Sequence, residues 1–259
     1  GACFDSTMAR FYYLNEKDLA KNMLEGGFQM THNVSVSGAT DKLRYRLSAG
    51  YVDQDGVLIT DKDQYNRKNF SGFISADITP WLTQEANFNY AHSKSNLPTS
   101  PLGSIYTTDL TSYYPEGTCP EGGDYGLGGV GLPFFTPKNE ILAANSNKKI
   151  YDNPRLFLKS IFKPFKGMEV VFEYTFDKNI NDYHYYTGQW EYTTIQGGVN
   201  VTPSEDYLYK YKNATDYNAF NLYGTYQFNL KDHNFKVMAG FNQESKYFEQ
   251  LDAYSYSQA

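Results

Sequence analysis

Histidines, cysteines and a spaced pair of aspartates are the groups through which this chain could do chemistry. His32, His92, His184 and His233 are scattered along the sequence, whereas a metal or a catalytic relay needs donors that converge. Asp53 and Asp55 flank Gln54 and precede Gly56, a spacing that could open a calcium loop. An EF-hand requires Glu at position twelve of that loop; counted from Asp53, the position holds Gln64, so a tight polar turn is expected instead. The Gly-rich stretch 122–131 lacks the Lys-Ser/Thr of a phosphate-binding loop and reads as irregular. Cys3 and Cys119 show no metal spacing. A disulfide between them would need an oxidising compartment, and bonded and separate thiols both stay open. The sequence is therefore read as non-enzymatic, with no cofactor and no metal. Aromatic rings remain. Tyr183, Tyr185, Tyr186, Trp190, Tyr192, Tyr207, Tyr209 and Tyr211 crowd residues 180–216. Their faces could stack on sugar rings or peptide, with Gln189 and Asn200 fixing orientation. The plainer alternative is that the rings pack the segment against itself.

Composition narrows the setting in which such rings are displayed. The 259 residues are 17% aromatic, with 25 Tyr and 18 Phe against 2 Trp. Mean hydropathy is −0.60, and no apolar run is long enough for a membrane-spanning helix. A spanning barrel escapes that test, because it alternates apolar and polar residues. The net charge of −6 and the lack of a basic cluster argue against nucleic acid as a partner. The opening residues lack the apolar core of a secretion signal, so a mature chain or an internal piece of a longer one is expected.

Alternation of period two recurs along the chain, and helical periodicity is nearly absent. It predicts eight strands of roughly ten residues, the length that crosses a bilayer at a tilt: 28–38, 42–52, 68–79, 82–92, 155–164, 168–179, 217–230 and 235–244. In 168–179, Met168, Val170, Phe172, Tyr174 and Phe176 alternate with Glu169, Glu173, Thr175 and Asp177. In 217–230, Phe220, Leu222, Tyr226 and Phe228 alternate with Asn221, Thr225, Gln227 and Asn229. Connections switch between short turns and the long segments 53–67, 93–154 and 180–216. Loops that long would be odd in a compact soluble domain, but short turns at one end and long loops at the other are the rule in outer-membrane barrels. The expected fold class is thus all-β, an antiparallel transmembrane β-barrel with long extracellular loops. Val170, Phe172, Leu222 and Phe228 are expected to face lipid. Trp81, Tyr90, Tyr174 and Phe176 would mark the interfaces. The lumen-side charges Arg44, Arg46, Asp77, Glu85, Lys159, Glu169, Glu173 and Lys236 are expected to pair across strands. The first and last strands would both open on the long-loop side, as would the residues after 244. That polarity favours part of a wider barrel, although eight strands can close by themselves.

The strand sequences carry a resemblance. His32-Asn33-Val34-Ser35-Val36-Ser37-Gly38 resembles the HN-x-S-V-S-G strand motif of SusC/RagA-type TonB-dependent transporters of Bacteroidota. Residues 45–58, YRLSAGYVDQDGVL, look like that family's next strand with its DQDG start of loop. Residues 65–82 and the hairpin 220–244 are similar to later hairpins. The first motif is fairly specific; the others count by their order. The resemblance covers the strands well and the loops poorly. It implies a barrel of about 22 strands with a plugged lumen. Residues 1–259 would then be a partial barrel domain, with the plug domain and the TonB-contacting region outside this chain. It further implies import of oligosaccharide or peptide across the bacterial outer membrane, with a SusD-like surface lipoprotein and the TonB complex as partners. Two other readings stay open: a soluble secreted β domain that binds or hydrolyses glycans, and a small eight-stranded structural barrel.

Overall fold

The computed structural model describes residues 2–5, 10–13, 21–99, 118–119, 128–193 and 198–257, with 2–5 and 10–13 as backbone. Eight long strands build one sheet: β3 (Gln29–Ala39), β4 (Leu43–Asp55), β5 (Gln64–Thr79), β6 (Leu82–Pro98), β7 (Ser146–Phe162), β8 (Met168–Thr187), β11 (Asp206–Leu230) and β12 (His233–Ser257). Their order in space follows the chain, from β3 at one edge to β12 at the other. All neighbours are antiparallel. Two small hairpins, β1 (Ala2–Asp5) with β2 (Arg10–Tyr13) and β9 (Trp190–Thr193) with β10 (Val199–Thr202), stand apart from this sheet. One short helix, α1 (Pro137–Ala143), precedes β7.

All eight predicted strands are present, and their short-turn ends fall within two residues of prediction. The other end of β3 is one residue shorter than expected, whereas those of the remaining seven run further. β8 continues to Thr187, β11 begins at Asp206 and β12 reaches Ser257. The expected loop 180–216 is therefore mostly strand, and Tyr183, Tyr185 and Tyr186 lie on β8 rather than in a loop. Residues after 244, expected to open a loop, continue β12. Asp53 and Asp55 likewise sit on β4. Asp63 organises the turn that follows, its carboxylate accepting from the Val57 and Leu58 amides at 3.0 and 3.4 Å.

Among the described residues, no element packs across either face of the sheet, and no ladder joins β3 to β12. The one cluster of buried apolar side chains sits beyond the strands. There Ile141 of α1 meets Met23 and Leu58. The helix starts on Thr136, whose hydroxyl accepts from the Asn139 amide, with Pro137 in the first turn. Cys119 is buried, its backbone exchanging hydrogen bonds with Leu132 and Gly131. The Cys3 side chain and most of the Gly-rich stretch 122–131 lie outside the described residues.

Two turns carry unusual backbone. Gly167, between β7 and β8, has φ of +89°, and a Cβ there would stand 2.3 Å from the Gln227 carbonyl oxygen. That closeness is functional to the fold, because the Gln227 amide donates to the Gly167 carbonyl at 2.8 Å and ties this turn to β11. Lys231, first of the two residues joining β11 to β12, has φ of 54° where a hairpin favours Gly. Gly167→Ala should lower the unfolding free energy of the intact protein by about 2 kcal/mol, whereas Lys231→Gly should leave it unchanged or raise it by up to ~1 kcal/mol. Urea midpoints in detergent measure both.

Candidate functional site

Register places the side chains of every strand on one of two faces. On the first face β8 presents Met168, Val170, Phe172, Tyr174 and Phe176, and β11 presents Phe220, Leu222, Gly224, Tyr226 and Phe228. Val170, Phe172, Leu222 and Phe228 thus share one surface. Phe172 lies opposite Leu222, and its ring meets Phe220 edge-on at 4.9 Å. Leu222 is 41% exposed, and among the described residues no element packs over it. At the short-turn end aromatic rings cluster, with Trp81 on Phe162 and Phe228 between Tyr226 and Phe235. At the other end the apolar run stops abruptly. Next come the Lys178–Asp216 ion pair at 2.9 Å and His92 on Asp152 at 2.8 Å, with the Tyr90 hydroxyl also donating to Asp152. From Met168 to Phe176 the band measures ~26 Å along the strand at ~3.3 Å per residue.

The second face is polar and crossed by a continuous rail. Arg44, Ser75, Glu85, Lys159, Glu173, Asn221 and Asn242 stand opposite one another in register on seven successive strands, β4 to β12. Arg44 donates to Ser75 at 3.1 Å, and Ser75 donates to Glu85 at 3.3 Å. Lys159 pairs with Glu173 at 3.3 Å, and Asn242 donates to Asn221 at 2.6 Å. Of the expected lumen charges, these four — Arg44, Glu85, Lys159 and Glu173 — belong to the rail. Glu169 lies 3.9 Å from Lys163, and Asp77 accepts from Thr83. The arrangement neutralises charge within the wall.

Further along this face, away from the short turns, lies a wall of tyrosines. Tyr183 contacts Tyr209 and Tyr211, Tyr185 contacts Tyr207, and Tyr207 contacts Tyr256. Lys149 stands 5.4 Å above the Tyr183 ring, and the Tyr209 hydroxyl donates to Asp252 at 2.9 Å. Beside it, Tyr151, Tyr183, Tyr211, Asn181 and Lys149 line an open depression of ≈ 450 Å³. Of the eight aromatic candidates, Tyr183, Tyr185, Tyr207, Tyr209 and Tyr211 join this wall. Tyr186 points to the opposite face, where its hydroxyl donates to Asp206. Trp190 and Tyr192 belong to β9 and stack with Phe135 at 6.0 and 4.7 Å, next to α1. Burial there pushes the Glu140 carboxyl above the usual range. The sequence reading missed Tyr254 and Tyr256, although their alternation with Ser255 signalled continued strand.

No family model and no curated protein matches this chain. Solved structures do. The RagAB peptide importer in its closed-closed state aligns with a TM-score of 0.65 at 15% identity, over 93% of this chain and 27% of that one. Its open-open state aligns with a TM-score of 0.65 at 17% identity, over 92% and 26%. This chain has the fold of part of that importer chain. It spans about a quarter of the importer chain it matches.

The rail can be tested by removing one member. Lys159→Met would leave Glu173 and Glu85 facing each other across a half-buried gap and should cost about 1–3 kcal/mol. Lys163→Ala, at the 59% exposed pair with Glu169, should cost under ~0.5 kcal/mol. Thermal unfolding of the intact protein distinguishes the two.

Proposed function

We propose that residues 1–259 form part of the barrel wall of a TonB-dependent outer-membrane transporter of the SusC/RagA kind. The observation that carries this reading is the uncovered sheet: an apolar band on one face, a neutralised polar rail on the other, and no second layer among the described residues. Water would make that surface an aggregation hazard, whereas hydrocarbon suits it. In this reading Val170, Phe172, Leu222 and Phe228 face lipid, and the rail faces the lumen. The tyrosine wall, with Tyr183 and Tyr185, lies at the outer mouth.

The transported solute is an oligosaccharide or a peptide, the second favoured by the naming of RagAB as a peptide importer. A SusD-like surface lipoprotein would cap the mouth, where β9, β10 and α1 present Trp190, Tyr192 and Phe135. Energy would come from the TonB complex through a plug domain outside this chain. The unpaired edges of β3 and β12 weigh against a closed eight-stranded barrel, and the uncovered band weighs against a soluble glycan-binding domain.

In the intact protein, Phe172→Arg or Leu222→Arg should cost roughly 2–4 kcal/mol at the bilayer midplane. Thr175→Arg, on the opposite face, should be tolerated. Folding into lipid vesicles is the measure, and equal tolerance of all three would refute lipid contact. Uptake of labelled peptides and oligosaccharides by cells with and without TonB tests the transport step. Uptake that persists without TonB would overturn it.

A further inference from the structure

Beyond the apolar band, the outward face carries basic groups without partners. Asn96, Lys148, His184 and Lys210 stand opposite one another on β6, β7, β8 and β11. One position nearer the band, the same strands place Lys94, Ile150, Asp182 and Lys212 in a row. The four lysines are exposed, and no ion pair within the described residues engages any of them or His184. Lys148 and Lys210 flank His184 in one row, and no ion pair among the described residues compensates either lysine. Asp182 is the one carboxylate of the two rows on β6 to β11; two strands further, on β4, the rows end on Asp53 and Asp55.

The contrast with the next rows inward identifies what is missing. Nearest the apolar band, Lys178 is matched by Asp216 and His92 by Asp152. Unmatched charge is costly beside hydrocarbon, and there the protein supplies its own counter-ions. Further out it does not, and the charges gather on the surface continuous with the band. Height then selects the ligand. Asp182 and His184 follow Phe176 by six and eight residues, which is ~20–26 Å along a strand and about 15–20 Å above the band at a tilt of ~40°. Simple phospholipid headgroups occupy only about 5–8 Å.

We propose that Lys94, Lys148, Lys210 and Lys212, with His184, bind phosphate groups on the saccharide headgroup of an outer-leaflet glycolipid. The inference rests on the membrane reading above. The patch is several strands wide, about the span over which one branched, phosphorylated oligosaccharide could engage several ammonium groups at once.

The intact protein in phosphatidylcholine vesicles, purified free of native lipid, is the material for the test. The probe is lipopolysaccharide with a phosphorylated core oligosaccharide, compared with the same material after phosphatase treatment, with phosphatidylglycerol and with inorganic phosphate. Binding should be at least about tenfold tighter for the phosphorylated probe than for the treated one. It should weaken with salt, and it should be lost in the variant Lys94→Gln/Lys148→Gln/Lys210→Gln/Lys212→Gln. The single changes Lys148→Gln and Lys210→Gln should each weaken binding several-fold, and arginine at all four positions should restore it. Equal binding of treated and untreated glycolipid, or of the glutamine variant and the parent, overturns the proposal. Equal binding of phosphatidylglycerol or free phosphate overturns the choice of ligand. Insertion is scored separately: a protein that inserts but ignores phosphate defeats this inference alone, and one that does not insert defeats the membrane reading with it.

Discussion

A backbone N–H or C=O group in a dry environment has no partner except another strand, and the sheet is organised around satisfying that demand. Each inner strand from β4 to β11 is laddered on both sides for most of its length. Once the polar backbone is sealed in this way, side chains are free to suit whatever each face meets. A soluble sheet of this width would need a second layer to bury Phe70, Ile74, Phe172 and Leu222. None packs there, and these side chains stand on a common surface. Hydrocarbon is the solvent in which such a surface costs nothing.

Charge placement follows the same logic from the other side. In a thin wall, a lysine on the polar face is within reach of low-dielectric surroundings, and an unmatched charge there is costly. The rail from Arg44 to Asn242 resolves this by giving charged members neighbours of opposite or neutral polar character. It also fastens strands side chain to side chain, in addition to the backbone ladders. Such a row suits a wall that must hold its shape.

What the sequence made legible was bounded by this physics. Alternation exists only where two faces meet different solvents. Between Met168 and Phe176 it was unmistakable, and the strand, its face and its turn were all readable. Beyond Phe176 both faces carry polar groups: Lys178, Asn179, Asn181 and Asp182 follow no period, and the strand passed for loop although its hydrogen bonds continue to Thr187. The candidate aromatics suffered for the same reason. Read as loop, Tyr185 and Tyr186 seemed to share a surface; as adjacent strand residues they must face opposite ways. The rail was half visible, since its charges were expected to pair across strands. Its continuity depended on register across seven strands, which short turns could have given for each hairpin but not across 99–145 or 188–205.

The edges carry the last step. β3 and β12 expose the ladder groups that inner strands satisfy, and on β12 Val237, Phe241, Leu251 and Tyr254 are 57–71% exposed because nothing lies alongside. In lipid an open edge is not tolerated, and in water it recruits other strands. Closing β3 directly onto β12 would remove both edges, but a barrel of eight strands leaves an interior just wide enough for side chains. Tyr254 and Tyr256 of β12 and Asn33 and Ser35 of β3 would then have to fill a narrow core together with the rail. In a wider barrel, with further strands between these edges, the rail and the tyrosine wall instead line an interior large enough to admit a plug and a solute. The proposed transport reading therefore depends on the edges as much as on the face: an apolar band suits a wall set in a membrane, and the separation of β3 from β12 would leave room for something to pass.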